Sequence, residues 1–311
     1  MQHIPLVSVV VPTWQQAPYI EACIQGILMQ ETGFPVEILI GEDDSTDGTR
    51  AICQRLAAEH PQRIRLFLRS RKDVIHIHGE PTGRANLLAL FREAKGRYIA
   101  WCDGDDRWTD PLKLAKQVAL LEADPTCMGS YHRTRYIDGA GEDTGRLVHA
   151  ELPERMGPED LIAPRAPFHS SSFLFRNSPL LQRLPQWTAR VASLDLALFL
   201  LCIGEGHYRR AAGVMSAYRK HGAQITARPG HGAAAHPFNR ILLWARVDGH
   251  FRHRWRQRIQ GVVRTHWERL VRQTDRSARF RYMLHLALRQ PAWCLRNPAF
   301  LAWAVRRAMR A

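Results

Sequence analysis

Strand-like and helix-like segments alternate four times in the first 123 residues, and this alternation limits the possible fold more than any other feature. "PLVSVVVP" is a short β-branched run closed by Pro12, read as a fully buried strand. "PYIEACIQGILMQ" follows, with Ile20, Cys23, Ile24, Ile27 and Leu28 at helical spacing. "VEILIGEDD" is a second buried strand and "TDGTRAICQRLAAEH" a second helix, with Ser45, Thr46 and Asp47 as capping candidates. "IRLFLRS", "GRANLLALFREAK" and "RYIAWCD" continue the series, and a helix from about Pro111 to Ala123 closes it. The pattern predicts an α/β fold: a mostly parallel sheet with right-handed crossovers and helices on both faces. Ligands of such sheets bind beyond the carboxyl ends of the strands. The polar clusters fall there: Thr13 and Trp14, then Glu42, Asp43 and Asp44, then Asp103 to Asp106.

Beyond residue 123 the pattern is less regular. "SSFLFR" reads as a strand, "SLDLALFLLCIGEG" as an apolar helix with Asp195 near its start, and "RRAAGVMSAYRKHG" as a strand running into a loop. The expected organisation is a catalytic domain over 1–225, a Gly/Ala/Pro/His linker over 226–237 and a basic helical appendage over 238–311. Charge follows this division. The chain carries a formal +15, and the segment from His236 to Ala311 holds seventeen arginines against Asp248, Glu268 and Asp275, a net of +14. Residues 1–235 are therefore close to neutral. Six cysteines without paired spacing point to a reducing, cytoplasmic-type compartment. The N-terminal apolar run is too short for a signal peptide, and no segment reaches the ~18 apolar residues of a spanning helix.

Within "WCDGDDRW", Asp103, Asp105 and Asp106 lie within four positions. Grouped carboxylates repel one another unless a cation sits among them, and a hard divalent ion with oxygen ligands is the usual solution. In "EDDSTDGT" the side chains of Asp43, Ser45 and Asp47 match the opening of a calcium loop. Gln54 stands where such a loop needs Glu and a strand precedes it, so calcium is not expected. "HIHG" at 76–79 offers two histidines and no nearby third ligand for zinc.

The series "VSVVVPTWQQAPYI", "EDDSTDGT", "AKGRYIAWCDGDDRWTDPLKLAKQV" and "YRKHG" resembles, over roughly residues 5–225, the family-2 glycosyltransferases with a GT-A nucleotide-sugar fold. The resemblance implies a donor site in which Pro12, Thr13 and Trp14 line the base pocket, Trp14 standing where tyrosine is usual. Asp43 would read the base or ribose. Arg84 and Asn86 would face the nucleotide-sugar, and Asp103 and Asp105 the ribose or sugar. Asp106, with Asp105 and His221, would hold a divalent metal, Mg2+ or Mn2+, on the diphosphate. Asp44 replaces the glycine of the family's usual "DDGS", and Asp is among the few residues that tolerate positive φ there.

The expected reaction is transfer of a sugar from a nucleotide-diphospho-sugar, UDP- or dTDP-linked, to a hydroxyl of a glycan or lipid-linked glycan in bacterial surface polysaccharide synthesis. Asp195 is the expected general base, with inversion at the anomeric carbon. A helix N-cap is the competing role for Asp195. Competing classes are a non-catalytic nucleotide-sugar-binding or scaffold protein of this fold and an Arg-rich nucleic-acid binder, for which no reader motif is present. In the appendage, Ile259, Val262, Val263, Trp267, Leu270 and Val271 lie at helical spacing among arginines. They read first as a face inserting into an anionic membrane, making the protein peripheral on the inner face of the plasma membrane, and second as a packed face.

Overall fold

The computed structural model describes residues 4–77, 80–191, 193–222 and 235–309. It opens with β1 (Val7–Thr13), α1 (Ile20–Leu28), β2 (Val36–Glu42), α2 (Thr49–Glu59) and β3 (Ile64–Leu68). A short antiparallel pair, β4 (Ile75–Ile77) and β5 (Glu80–Thr82), precedes α3 (Arg84–Glu93), β6 (Tyr98–Trp101), β7 (Arg107–Trp108) and α4 (Lys113–Glu122). Then come β8 (Cys127–Ile137), β9 (Asp143–Leu147), β10 (Arg155–Met156), β11 (Leu174–Arg176), α5 (Leu194–Ile203) and β12 (His207–Arg219). Five helices follow: α6 (Ala235–His250), α7 (Arg256–Arg272), α8 (Arg276–Arg289), α9 (Pro291–Arg296) and α10 (Pro298–Met309).

The chain divides into two compact units. The first comprises Met1–Pro158, Pro167–Pro185 and Phe199–His221, the second Glu159–Ala166, Gln186–Leu198 and Gly222–Ala311. Of the expected linker, residues 226–234 lie outside the described residues, and 235–237 already belong to α6.

The sheet of the first unit runs β10-β12-β8-β11-β6-β1-β2-β3, with β7 on β12 and β9 on β8. β3, β2, β1 and β6 are parallel, as the alternation predicts, with Thr13 opposite Glu42 and Val7 opposite both Val36 and Tyr98. The runs of β1, β2 and β6 are buried on both faces, while β3, at the sheet edge, is only partly covered. Val7, Val9 and Val11 share one core with Ile38, Ile40 and α1's Ile20, Ile24 and Ile27, and α3 packs on β1 and β2. The chain steps from β1 outward to β2 and β3 and then returns to place β6 on β1's other side. The reversal leaves a switch point between the C-terminal ends of β1 and β6, where such sheets take their ligands.

Two expectations are corrected. The sequence reading assigns no strand between residue 123 and "SSFLFR", yet β8 runs eleven residues and lies beside β12 and β11. Its inward positions are Ser130, His132 and Thr134, buried but polar. Thr134 bonds Ser216 at 2.9 Å, and Gln117 donates to the Ser130 carbonyl, so the strand is held by buried hydrogen bonds and lacks the apolar alternation that would reveal it. Secondly, the expected membrane face of α7 is internal. Ile259, Val262, Val263, Trp267 and Leu270 are buried within the helical unit, with Trp267 edge-on to Phe300 at 6.5 Å. Burying that face leaves it nothing to insert into a bilayer. Among the described residues no helix is long and apolar enough to cross a membrane.

Candidate donor and metal site

The loops leaving β1 and β2 are tied to each other before any ligand is considered. Gln15, at φ 53°, accepts through its side-chain carbonyl from the amides of Thr46 and Asp47, and its own amide N–H donates to Ser45 Oγ. Asp47 accepts from the amide of Ala17, and Thr49 Oγ1 from that of Gln16. Gly48, at φ 102°, holds the N-cap position of α2, and of the three capping candidates Asp47 alone bonds the helix start, its Oδ1 accepting from the Thr49 amide at 3.0 Å. Ser45, Thr46 and Asp47 together lock the two loops to each other. Asp44 adopts φ 63°, the conformation its substitution for glycine required. Glu42 is buried, accepts from the Ser45 amide and pairs with Arg50.

At this end Asp43 is buried and receives a 2.6 Å hydrogen bond from Arg71 Nη1, while the Arg71 guanidinium stacks 4.3 Å from the Trp14 ring centroid. Burial pushes the Asp43 carboxyl above its usual range, and the Arg71 charge opposes that shift. Trp14, Arg71 and Asp43 together present an aromatic face and a charge-assisted acceptor, the pair of groups a base and its ribose need. The Asp43 amide is fixed by the Thr13 carbonyl at 3.1 Å. Sequence reasoning missed Arg71, because it sits in a short 3-10 turn after β3 with no motif around it.

The acidic turn follows β6. Cys102 N–H bonds the Val10 carbonyl and Gly104 N–H that of Pro12, so the turn is held against the end of β1 at the switch point. Gly104 is required there: a Cβ would lie 2.5 Å from Gln16 Oε1 and 2.8 Å from Thr13 Oγ1. Asp103 accepts from Trp101 Nε1 at 3.0 Å and from Ser170 Oγ at 3.3 Å. Asp105 pairs with His221 Nε2 at 3.1 Å, and the His221 ring leans on Tyr19, 4.6 Å between centroids. Asp106 is only 1% exposed. Its Oδ1 accepts from the Arg219 amide at 3.2 Å, whereas its Oδ2 has no hydrogen-bond partner. The nearest basic atom to Oδ2 is His169 Nδ1 at 3.6 Å, and burial holds that imidazole at about 3, hence neutral at pH 7. Burial, then the charge of Asp105, push the Asp106 carboxyl well above its usual range.

A carboxylate buried among other carboxylates, with one oxygen unsatisfied and no cation on it, fits a divalent metal. Among the described residues no three His, Cys, Asp or Glu side chains converge as a closed cage. A Mg2+ or Mn2+ ion held by one or two carboxylates and completed by substrate phosphates would need no such cage.

Arg84 and Asn86 lie in the first turn of α3 and are buried. Asn86 donates to the Gly41 carbonyl at 2.6 Å, anchoring the helix on β2, and its Oδ1 has no partner. Asp195 is half-buried in the first turn of α5, in the second unit, after Ser193. The helix starts at Leu194, so the capping position is Ser193, and the cap role does not fall to Asp195. Its charge acts on the largely buried guanidinium of Arg240. Two more residues of the first unit escaped sequence reasoning. Arg219 donates to the carbonyls of Asp105, Asp138 and Gly139 and stacks on Tyr19 at 4.7 Å, tying the "YRKHG" segment to the acidic turn. Lys113 is fully buried, 2.7 Å from Gln117 Oε1 and 3.9 Å from the Trp108 ring centroid, and burial draws its ammonium down to about 7.

The structure resembles that of S. aureus TarS (residues 1–349) in complex with UDP-GlcNAc, with a TM-score of 0.63 and 14% identity over 97% of this chain and 88% of that one. Such a likeness establishes the fold. In sequence, an uncharacterised protein of Mycobacterium tuberculosis is 33% identical over 273 residues, 82% of this chain and 72% of that protein. A chondroitin synthase of Escherichia coli is 34% identical over 141 residues, 45% of this chain and 19% of the synthase. Residues 8–184 match the pattern of glycosyl transferase family 2, more than half of the chain, and that match contains β1, the loop of Asp43 and the acidic turn. The protein therefore belongs to glycosyl transferase family 2 and is a glycosyltransferase of the GT-A fold.

Proposed function

We propose that the protein is an inverting, metal-dependent glycosyltransferase. It takes a sugar from a nucleotide-diphospho-sugar, UDP- or dTDP-linked, and places it on a hydroxyl of a glycan or lipid-linked glycan during bacterial surface polysaccharide assembly. The observation that carries the reading is Asp106: buried at the switch point, beside two other carboxylates, with Oδ2 unpartnered. A nucleotide-binding scaffold without catalysis has no use for that arrangement, which costs stability. That TarS was solved with UDP-GlcNAc supports a nucleotide-sugar donor, and the likeness to chondroitin synthase supports a polysaccharide product.

In this reading Trp14 stacks on the base, Asp43 accepts from the base or ribose, and Arg71 keeps Asp43 ionised and oriented. Pro12, Thr13 and the α3 entry at Arg84 and Asn86 shape the remainder of the nucleotide pocket. Asp103 and Asp105 face the ribose and sugar. Asp106, with Asp105, holds Mg2+ or Mn2+, and His221 closes on the diphosphate from the Asp105 side. When bound, the metal supplies positive charge against the departing diphosphate. Asp195 takes the acceptor hydroxyl proton as that oxygen displaces the nucleoside diphosphate from the anomeric carbon, inverting its configuration.

A panel of nucleotide-sugars, scored for manganese-dependent hydrolysis and for thermal stabilisation, tests the donor class. One donor should stand out and require the metal; no stabilisation by any nucleotide-sugar would remove the reading. A product with retained configuration would exclude direct displacement.

A further inference from the structure

The buried face of α7 leaves open which part of the basic unit meets a partner, and α8 supplies a different surface. Phe280, Leu284 and Leu288 recur every four residues along one face of α8 and are 41%, 59% and 69% exposed. The opposite face is the packed one: Leu286 is buried and Tyr282 lies 4.8 Å from Phe238. Eight residues of helix make this apolar stripe about 12 Å long. Arg276 and Arg281 flank the stripe on its two sides and are exposed.

The charge around the stripe is strongly basic. Asp275 caps α8 at the Ala278 amide, and from Arg276 to Ala311 the chain carries eight arginines and no Asp, Glu or Lys. A second copy of this face would bring like charges together over its apolar contact, which disfavours self-association. A nucleic acid would answer the arginines and leave the exposed phenylalanine and leucines in water. An anionic bilayer answers both at once: phosphates at the headgroup level for the guanidinium groups, and the acyl chains just beneath them for the apolar stripe.

We propose that α8 docks the protein on an anionic lipid surface, with Phe280, Leu284 and Leu288 inserted and Arg276 and Arg281 at the headgroup phosphates. The proposal is independent of the donor site and stands or falls separately from it.

Flotation of the full-length protein with phosphatidylcholine vesicles, with and without a quarter phosphatidylglycerol, tests it. The anionic vesicles should carry at least ~10-fold more protein, and 0.5 M salt should reduce that several-fold. The double variant L284E/L288E should lose at least ~10-fold of the flotation while keeping its melting temperature, because both positions face solvent. A dye on Leu288→Cys provides a second readout at the stripe itself, the six native cysteines being buried. Its emission should shift to the blue only with anionic vesicles. Equal flotation on both vesicle types would overturn the proposal. So would flotation untouched by L284E/L288E, a self-association abolished by L284E/L288E in place of vesicle binding, or tighter binding to an oligonucleotide than to the anionic vesicles.

Discussion

At the end of β2, Asp43 is buried against a guanidinium that is itself backed by the Trp14 ring. At the end of β6, Asp106 is buried deeper, with one oxygen on a backbone amide and the other on no donor. Both carboxyls are pushed up by desolvation, but only the first has a cation built into the fold to oppose the shift. The difference teaches what each end is for. The Asp43 end is complete as folded and can accept a neutral hydrogen-bonding group. The Asp106 end is complete only when something positive arrives, and its unsatisfied oxygen costs stability until then.

This contrast makes mutations at the two ends differ in sign. Asp106→Asn should abolish turnover by ~1000-fold or more while leaving the melting temperature unchanged or higher, since a buried charge among like charges is removed. Steady-state rates and calorimetry on the same preparation check both halves; a variant that unfolds would make Asp106 a structural residue. Asp195→Asn should cost turnover ~100-fold or more and leave donor affinity at both ends intact, because its role lies with the acceptor proton. An active Asn variant would remove Asp195 from that role.

Asp43→Asn should do the reverse of Asp106→Asn. It leaves Arg71 without its carboxylate, lowers stability by about 3 kcal/mol and raises the donor KM by about 10-fold, with kcat less affected. Denaturant titration and a KM/kcat split measure this.

The smallest effect calibrates the others. His266 in α7 is also buried with neither ring nitrogen bonded, but no ligand chemistry calls for it. Burial, followed by the Arg240 charge, lowers its imidazole to about 3. The unfolded chain therefore binds this proton below about pH 6.5 while the folded chain refuses it until about pH 3, so stability falls as pH drops through that window. His266→Leu should restore roughly 2 kcal/mol at pH 5 and leave turnover unchanged. A loss of turnover would show that His266 itself takes part in the chemistry.

The parallel half of the fold was legible because its strands are short apolar runs, the first of them β-branched, and its helices carry an apolar stripe at 3.6-residue spacing. Val7 to Val11 and Ile20 to Leu28 are the clearest examples. β8 was not legible, because Ser130, His132 and Thr134 are buried yet polar, and the bonds from distant elements reach only the Ser130 carbonyl, from Gln117, and Thr134 Oγ1, from Ser216. At the site, carboxylates at strand ends were readable because placement and residue type coincide. Arg71 and Arg219 were not, since each meets its carboxylate or turn only through folding, 28 residues from Asp43 in the first case and 114 from Asp105 in the second. The appendage was misread in the same way: periodicity identified α7's apolar face but not the neighbour that covers it, Phe300 of α10 among others.

The central claim is that Asp106 awaits a cation delivered with a diphosphate. Calorimetric titration of a nucleotide-sugar into the wild-type protein, with and without Mn2+, tests it most directly when repeated on Asp106→Asn. The wild type should bind at least ~10-fold more tightly with Mn2+, and Asp106→Asn should lose that gain while keeping the metal-free affinity. Equal affinity with and without metal in the wild type, or a metal gain that survives Asp106→Asn, would contradict the account.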